Sequence, residues 1–314
     1  MLGKRFLVGS IFFFFVKLYF FGESLNLTTS QFFLTSAICC NSISIYENVF
    51  ENNEKSSELK WDSISPCILC SIGYSYKGFS SVLAVDSAIP IECGKMTDKD
   101  FFLNGTGAIS LFSRHDVITD KDYSFILYLN YSRRISSFFF SLSLRGLYSN
   151  IKLESDDGYL QYPAENKEWN GTEKTEPLNG TAVTYEQSRF IAGFGVQMGS
   201  IWGKNDRFNF CFSFLYYPFV QIKAIDNHFL RMIQFCDLMK NGEGFDFEIS
   251  LRILINEKLN IKTSFMDTLM NAKGETYINP IGIITQSTTK SSDTCSVSTK
   301  YNRSSFTLGL VYKI

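Results

Sequence analysis

Runs that alternate with a period of two, joined by connections of two unequal lengths, limit what this chain can become. Ser124 to Ser132 alternates through Ile126, Tyr128 and Asn130. Ser137 to Leu153 does so through Phe139, Ser141, Ser143 and Arg145, and Ser304 to Ile314 through Phe306, Leu308, Leu310, Tyr312 and Ile314. On a strand, successive side chains point to opposite faces, so each run builds two faces of different polarity. With 31 Phe and 16 Tyr, the composition favours strands over helices. Short turns fall at Lys77-Gly78, Arg133 to Ser136, Gly203 to Asp206 and Asn256 to Lys258. Between them lie polar excursions at Glu51 to Glu58, Glu92 to Asp122, Glu154 to Glu186 and Asn271 to Asn302, and a mixed one at Phe229 to Gly244. Short turns at one end and long loops at the other predict an all-β, antiparallel transmembrane β-barrel of about ten strands. A soluble sandwich would not explain that asymmetry, and lipid tolerates no open sheet edge.

The start of the chain reads as an export signal. Lys4 and Arg5 precede the apolar run Phe6 to Val16, and Gly22, Glu23 and Ser24 follow. Residues 1–24 are therefore expected to be a signal peptide and 25–314 the barrel. Beyond the signal no apolar stretch is long enough for a spanning helix. The 30 basic and 31 acidic residues nearly cancel, which gives no reason to expect a nucleic-acid partner. All eight cysteines lie in the exported part. Cys67 and Cys70 have the spacing of half a zinc site, but no second half follows. On a strand they would face opposite sides, so no metal is expected.

Two stretches carry candidate chemistry: Thr97-Asp98-Lys99-Asp100-Phe101 and Ile225-Asp226-Asn227-His228-Phe229. Each aims two ionisable side chains at one face of a strand. An Asp two residues before a His can fix its tautomer and raise its basicity. Two adjacent carboxylates cannot both ionise freely and tend to share a proton. The loop asymmetry puts both stretches at the same, outer rim. Face to face they would make a water-activating hydrolase site.

Here the chain resembles the omptin family of outer-membrane proteases, which are ten-stranded barrels with an Asp-Asp and an Asp-His pair across an extracellular groove. Asp98-Lys99-Asp100-Phe101 matches the family's Asp-x-Asp-aromatic motif, and Asp226-Asn227-His228-Phe229 is similar to its Asp-x-His stretch. Ser113-Arg114-His115 matches a Ser-Arg-His stretch after the first pair, and Leu59-Lys60-Trp61 resembles a Leu-x-Trp on the second strand. The resemblance implies an endopeptidase of the bacterial outer membrane, with its site facing outside and acting on extracellular peptides or proteins. His228, oriented by Asp226, would be the base for a water held between His228 and Asp98, and Asp100 would set the protonation of Asp98. Ser113 and His115 would order the groove.

The chain departs from the family at the specificity pocket, whose acids select a basic side chain. One of them lies two residues before the Asp of the Asp-x-His pair, where this chain has Ala224. For the other, counting back from Trp61 without a gap meets Ser44. Shortening the loop meets Glu47-Asn48-Val49-Phe50, which resembles the family's Glu-x-Val-aromatic and makes Glu47 the candidate pocket acid. The resemblance also implies that the outer wall binds phosphates of outer-membrane lipids such as lipopolysaccharide as an activator; no other cofactor is implied. Tyr148, Lys152 and Arg189 fall near those positions, with Asn150 where the family has an acid. The competing expectation is a catalytically silent barrel acting as an adhesin or structural surface protein. A diffusion porin is disfavoured, because about ten strands leave little lumen beyond their own side chains.

Overall fold

A computed structural model describes residues 30–103, 105–165, 167–281 and 295–314. The expected signal peptide at residues 1–24 lies outside the described residues, as does the start of the strand expected from Leu25. Among the described residues the strands are β1 (Gln31–Glu51), β2 (Glu54–Tyr76), β3 (Phe79–Ala88), β4 (Ile91–Phe101), β5 (Ile109–Ile135) and β6 (Phe138–Gln161). They continue with β7 (Glu176–Leu178), β8 (Val183–Trp202), β9 (Phe208–His228), β10 (Ile233–Leu254), β11 (Leu259–Pro280) and β12 (Cys295–Lys313). β3 and β4 are two lengths of one rising strand, interrupted at Ile89-Pro90, and both lie between β2 and β5. Proline offers no N–H to the ladder, which accounts for the interruption. β7 is a short appendage on β6. The rest close into a ring of ten antiparallel strands, with β1 held by both β2 and β12.

The outer wall shows why the alternation was so regular. Phe306, Leu308, Leu310 and Tyr312 of β12 point out, while Arg303, Ser305 and Val311 are buried inside. The same apolar band continues through Ile64, Ile68 and Ile72 on β2, Phe125, Leu127 and Leu129 on β5, and Phe190, Phe194 and Met198 on β8. Aromatic rings gather at the short-turn end, where Phe79 meets Tyr131 at 4.5 Å and Trp202 meets Phe208 at 6.0 Å. Water would not tolerate such a surface, whereas a bilayer needs it.

Inside the band the lumen is filled. Arg145 on β6 pairs with Asp246 on β10 and donates to Tyr217 Oη at 2.7 Å. Arg303 on β12 reaches Asp86 on β3 at 3.3 Å and Asp122 on β5 at 3.9 Å. Arg189 on β8 lies on the Tyr301 ring of β12, 3.8 Å from its centroid. These partners stand two to four strands apart round the ring, so the contacts are chords through the interior.

Above the band the structure differs from the sequence reading. The excursions expected to be loops are largely strand. Glu51 to Glu58 shrinks to the turn Asn52-Asn53, both with left-handed φ (50° and 67°), a conformation asparagine tolerates. Glu92 to Asp122 is mostly β4 and β5. Phe229 to Gly244 is a single 3-10 turn, Phe229–Arg231, closed by Met232 with φ 53°, after which β10 begins at once. Outside the lipid the outward positions meet water, so Lys95, Thr97 and Lys99 on β4 or Asn271, Lys273 and Glu275 on β11 replace apolar residues. The hydrogen-bonded ladder goes on, but the hydropathy signal that announced it stops.

Candidate active site

The tall part of the wall holds both charged pairs. β4 and β9 stand four places apart round the ring, and each turns one face inward. On β4 that face carries Met96, Asp98 and Asp100; Asp98 lies between Leu59 of β2 and Ser113 of β5. On β9 it carries Ala224, Asp226 and His228, with Tyr185 of β8 and Phe235 of β10 flanking Asp226. Asp98, Asp226 and His228 are all buried.

His228 Nε2 donates to Asp226 Oδ2 at 2.7 Å, since a carboxylate can only accept. This leaves Nδ1 as the nitrogen free to take a proton. The Phe235 ring meets the imidazole edge-on at 5.3 Å and holds its plane. Burial alone would lower the His228 pKa, but the Asp226 carboxylate, helped by Asp98, overrides it and pushes the ring up to about 9. Asp98 is raised as well, which for an acid favours the neutral form. Burial and the neighbouring Asp100 raise it to about 7, against the pull of His228 and Arg231. Each of the two groups thus feels the other's charge across the groove. Arg231, in the turn after His228, donates to Asp100 and ties the two sides together.

Ser113 and His115 sit beside this site. His115 Nδ1 donates to the Asp157 carbonyl at 2.8 Å, which leaves Nε2 to accept the Ser113 hydroxyl at 3.1 Å. Burial lowers the His115 pKa, so this ring is a neutral spacer. The neighbouring backbone is built for it: Asp157 has φ 46° and Gly158 φ 137°. A Cβ at Gly158 would stand 2.2 Å from the Arg114 carbonyl oxygen and 2.8 Å from His115 Nδ1.

Below the pairs the groove has an acidic floor. Tyr185 stacks on Trp61 at 5.8 Å and donates to Glu47 Oε2 at 2.8 Å, five strands away round the ring. Glu47, the candidate pocket acid, faces inward and is buried; Ser44 faces outward and hydrogen-bonds Asp62. Asp237 was missed by the sequence reading. It lies directly opposite Ala224 in the β9–β10 register, buried, beside Glu47 and Thr276. Neither of its oxygens has a hydrogen-bond partner at normal distance among the described residues. Burial raises Asp237 to about 6, and burial, with Asp237 and Asp226 nearby, raises Glu47 as well. Among the described residues, no Lys or Arg pairs with Glu47, Asp226 or Asp237.

The cluster expected to bind lipid phosphate does not assemble. Tyr148 and Lys152 face outward, but Arg189 is buried in the lumen, bonded to Ser149 Oγ at 2.9 Å and stacked on Tyr301. Its position in β8 has the inward parity of Tyr185 and Gln187. Lys152 already meets Asp120 at 2.9 Å and Glu154 at 2.7 Å, and Asn150 bonds Glu186 and Ser188. Cys67 is buried and Cys70 exposed, so the two thiols share no face.

With this geometry in place, the comparisons with known proteins decide the family. The model of the Omptin family matches residues 37–314. The chain belongs to the omptin family. Among solved structures, this omptin is similar to the outer membrane protease OmpT from Escherichia coli, with a TM-score of 0.79, 18% identity, and coverage of 93% of this chain and 99% of that one. The outer membrane protein OprG from Pseudomonas aeruginosa also aligns, at a TM-score of 0.44 and 8% identity, over 91% of this chain and 97% of that one. No curated protein sequence matches the chain. The omptin is a β-barrel of the bacterial outer membrane, from a family of outer-membrane proteases.

Proposed function

We propose that this omptin is an endopeptidase that hydrolyses peptide bonds with a water activated by His228 and Asp226 opposite Asp98 and Asp100. The observation that carries the reading is the Asp226-held His228 and the buried Asp98, raised to about 7 by burial and Asp100, set on opposite walls of one groove. A water between them hydrogen-bonds to Asp98 and gives a proton to His228 Nδ1 as its oxygen attacks the scissile carbonyl carbon. His228 returns that proton to the leaving amine as the C–N bond breaks. Ser113 stays a hydrogen-bond donor to His115 and takes no part as nucleophile. The tall end of the barrel faces outside, as long connections do in such proteins, so substrates are extracellular peptides or proteins.

Specificity follows from the floor. Asp237 puts back, from the neighbouring strand, the negative charge that Ala224 lacks, and with Glu47 it favours a Lys or Arg side chain beside the scissile bond. A phosphorylated lipid activator would meet Tyr148 on the outer wall, but it would have to find its cations elsewhere than Arg189 and the neutralised Lys152.

The decisive experiment is cleavage of a peptide library by the refolded protein beside Asp98→Ala and His228→Ala. The expected loss in either variant is about a hundred- to ten-thousand-fold in kcat/KM. Equal cleavage by all three proteins, or none by any, would favour the silent surface barrel instead.

A further inference from the structure

The two carboxylates of the Asp98–Asp100 pair, if both charged, would repel each other in a buried groove, and if both protonated, neither would attract a water proton. Something must decide where a single proton sits. Burial favours the neutral form, and Asp98 is the more deeply buried of the two. Among the described residues, Arg231 is the cation that pairs with Asp100. Arg231 leaves the β9–β10 turn three residues after His228, crosses the groove and donates Nη2–H to Asp100 Oδ2 on β4. Its position is fixed locally: the turn is a single 3-10 turn, and the Met232 N–H closes it on the Phe229 carbonyl.

We propose that Arg231 is a positioning residue of the hydrolytic site: by binding Asp100 from the opposite wall it fixes that carboxylate in place and sets a positive charge beside Asp98 and His228. The inference rests on the hydrolytic reading above and adds the group that prepares the Asp pair for it. The groups facing Arg231 are Asp98 and Asp100 from β4, His228 from β9 and Tyr162 beyond the end of β6. Asp226 is hydrogen-bonded to His228, and His115 feels the His228 charge. In this set Arg231 pulls both Asp98 and His228 to lower pKa, while Asp226 raises both. A guanidinium suits the task because it stays charged at any working pH and offers several donors in one plane.

The test uses the full chain refolded in detergent micelles, with Arg231→Ala and Arg231→Lys beside the parent, and reads the two imidazoles by NMR titration. Removing the cation should raise the apparent pKa of His228 by about one unit, and Lys should restore most of it. His115, tied to the Asp157 carbonyl, should hardly move. In peptide cleavage, Arg231→Ala should lower kcat at neutral pH about tenfold, shift the acid limb upward and leave KM nearly unchanged. An unmoved His228 titration overturns the proposal whether or not the parent cleaves peptides, so its failure is distinct from that of the hydrolytic reading. Higher activity in Arg231→Ala also overturns it, because the residue would then be an inhibitory strap. Arg231 is partly exposed in a turn, and a parent-like circular dichroism spectrum of the Lys variant separates its role from folding.

Discussion

The lumen holds two sets of buried charges, treated in opposite ways. At the level of the lipid band, opposite charges meet: Arg145 with Asp246, and Arg303 with Asp86 and Asp122. In the groove above, like charges are gathered: Asp98 with Asp100, and Glu47 with Asp226 and Asp237. A buried charge without a counterion is costly, so a wall meant only to stand would not be built that way. The lower set braces the interior of the barrel. Among the described residues, the upper set gathers five carboxylates against Arg231 and His228, the usual mark of a place prepared for a ligand or a reaction.

Breaking the lower set should hurt stability and nothing else. Asp246→Ala strands Arg145 in the lumen and is expected to cost about 3–5 kcal/mol, read as a lower midpoint of denaturant unfolding in micelles. Breaking the upper set should do the reverse. The folded pKa of Asp237, about 6, lies above the ordinary 3.8, so the native chain holds a proton that the unfolded chain has released. Stability contributed by that proton is therefore lost as pH rises from about 4 to about 6 and stays lost above. Asp237→Asn should gain up to about 3 kcal/mol at pH 8 and almost nothing near pH 4, while cleavage beside Arg or Lys falls. A variant that loses stability at pH 8 would sink the contrast between the two sets. Gly158→Ala should cost about 1–3 kcal/mol through its positive φ and disturb the His115 ring; a normal His115 titration would show that the bulge is not needed there. The smallest effect belongs outside the lumen. Lys152→Ala, on the outer wall, should change stability by less than about 1 kcal/mol.

The ring was legible wherever lipid wrote it. Phe306, Leu308, Leu310 and Tyr312 had to alternate with Ser305 and Val311, because one face meets hydrocarbon and the other the interior. Asp98, Asp100, Asp226 and His228 were legible too, since a spacing of two on any strand shares a face. Asp237 was not. The stretch from Phe229 onward mixes exposed apolar residues (Phe229, Leu230, Met232, Leu238) with polar ones, so it shows no clean alternation and the hairpin stays hidden. Had the turn been placed at Phe229–Arg231, pairing Asp226 with Phe235 would have set Asp237 against Ala224 by counting alone. Arg189 failed for the opposite reason. A basic residue in a barrel strand is expected at an outer, hydrated place, and only its parity with Tyr185 and Gln187 reveals that it faces the lumen. Arg231 carried no signal in the sequence, because which turn residue reaches across a groove depends on the curvature of the whole wall.

The pairing of Ala224 with Asp237 bears on how such proteins are compared. Position by position along two chains, a lost acid counts as a lost function. On a pleated wall, however, neighbouring strands present their opposed residues to the same spot, and either strand can furnish the charge. The property that persists belongs to a patch of surface and can migrate sideways round the barrel while every backbone atom stays in place. Descendants of one barrel can then look divergent in each column and still offer substrates the same pocket.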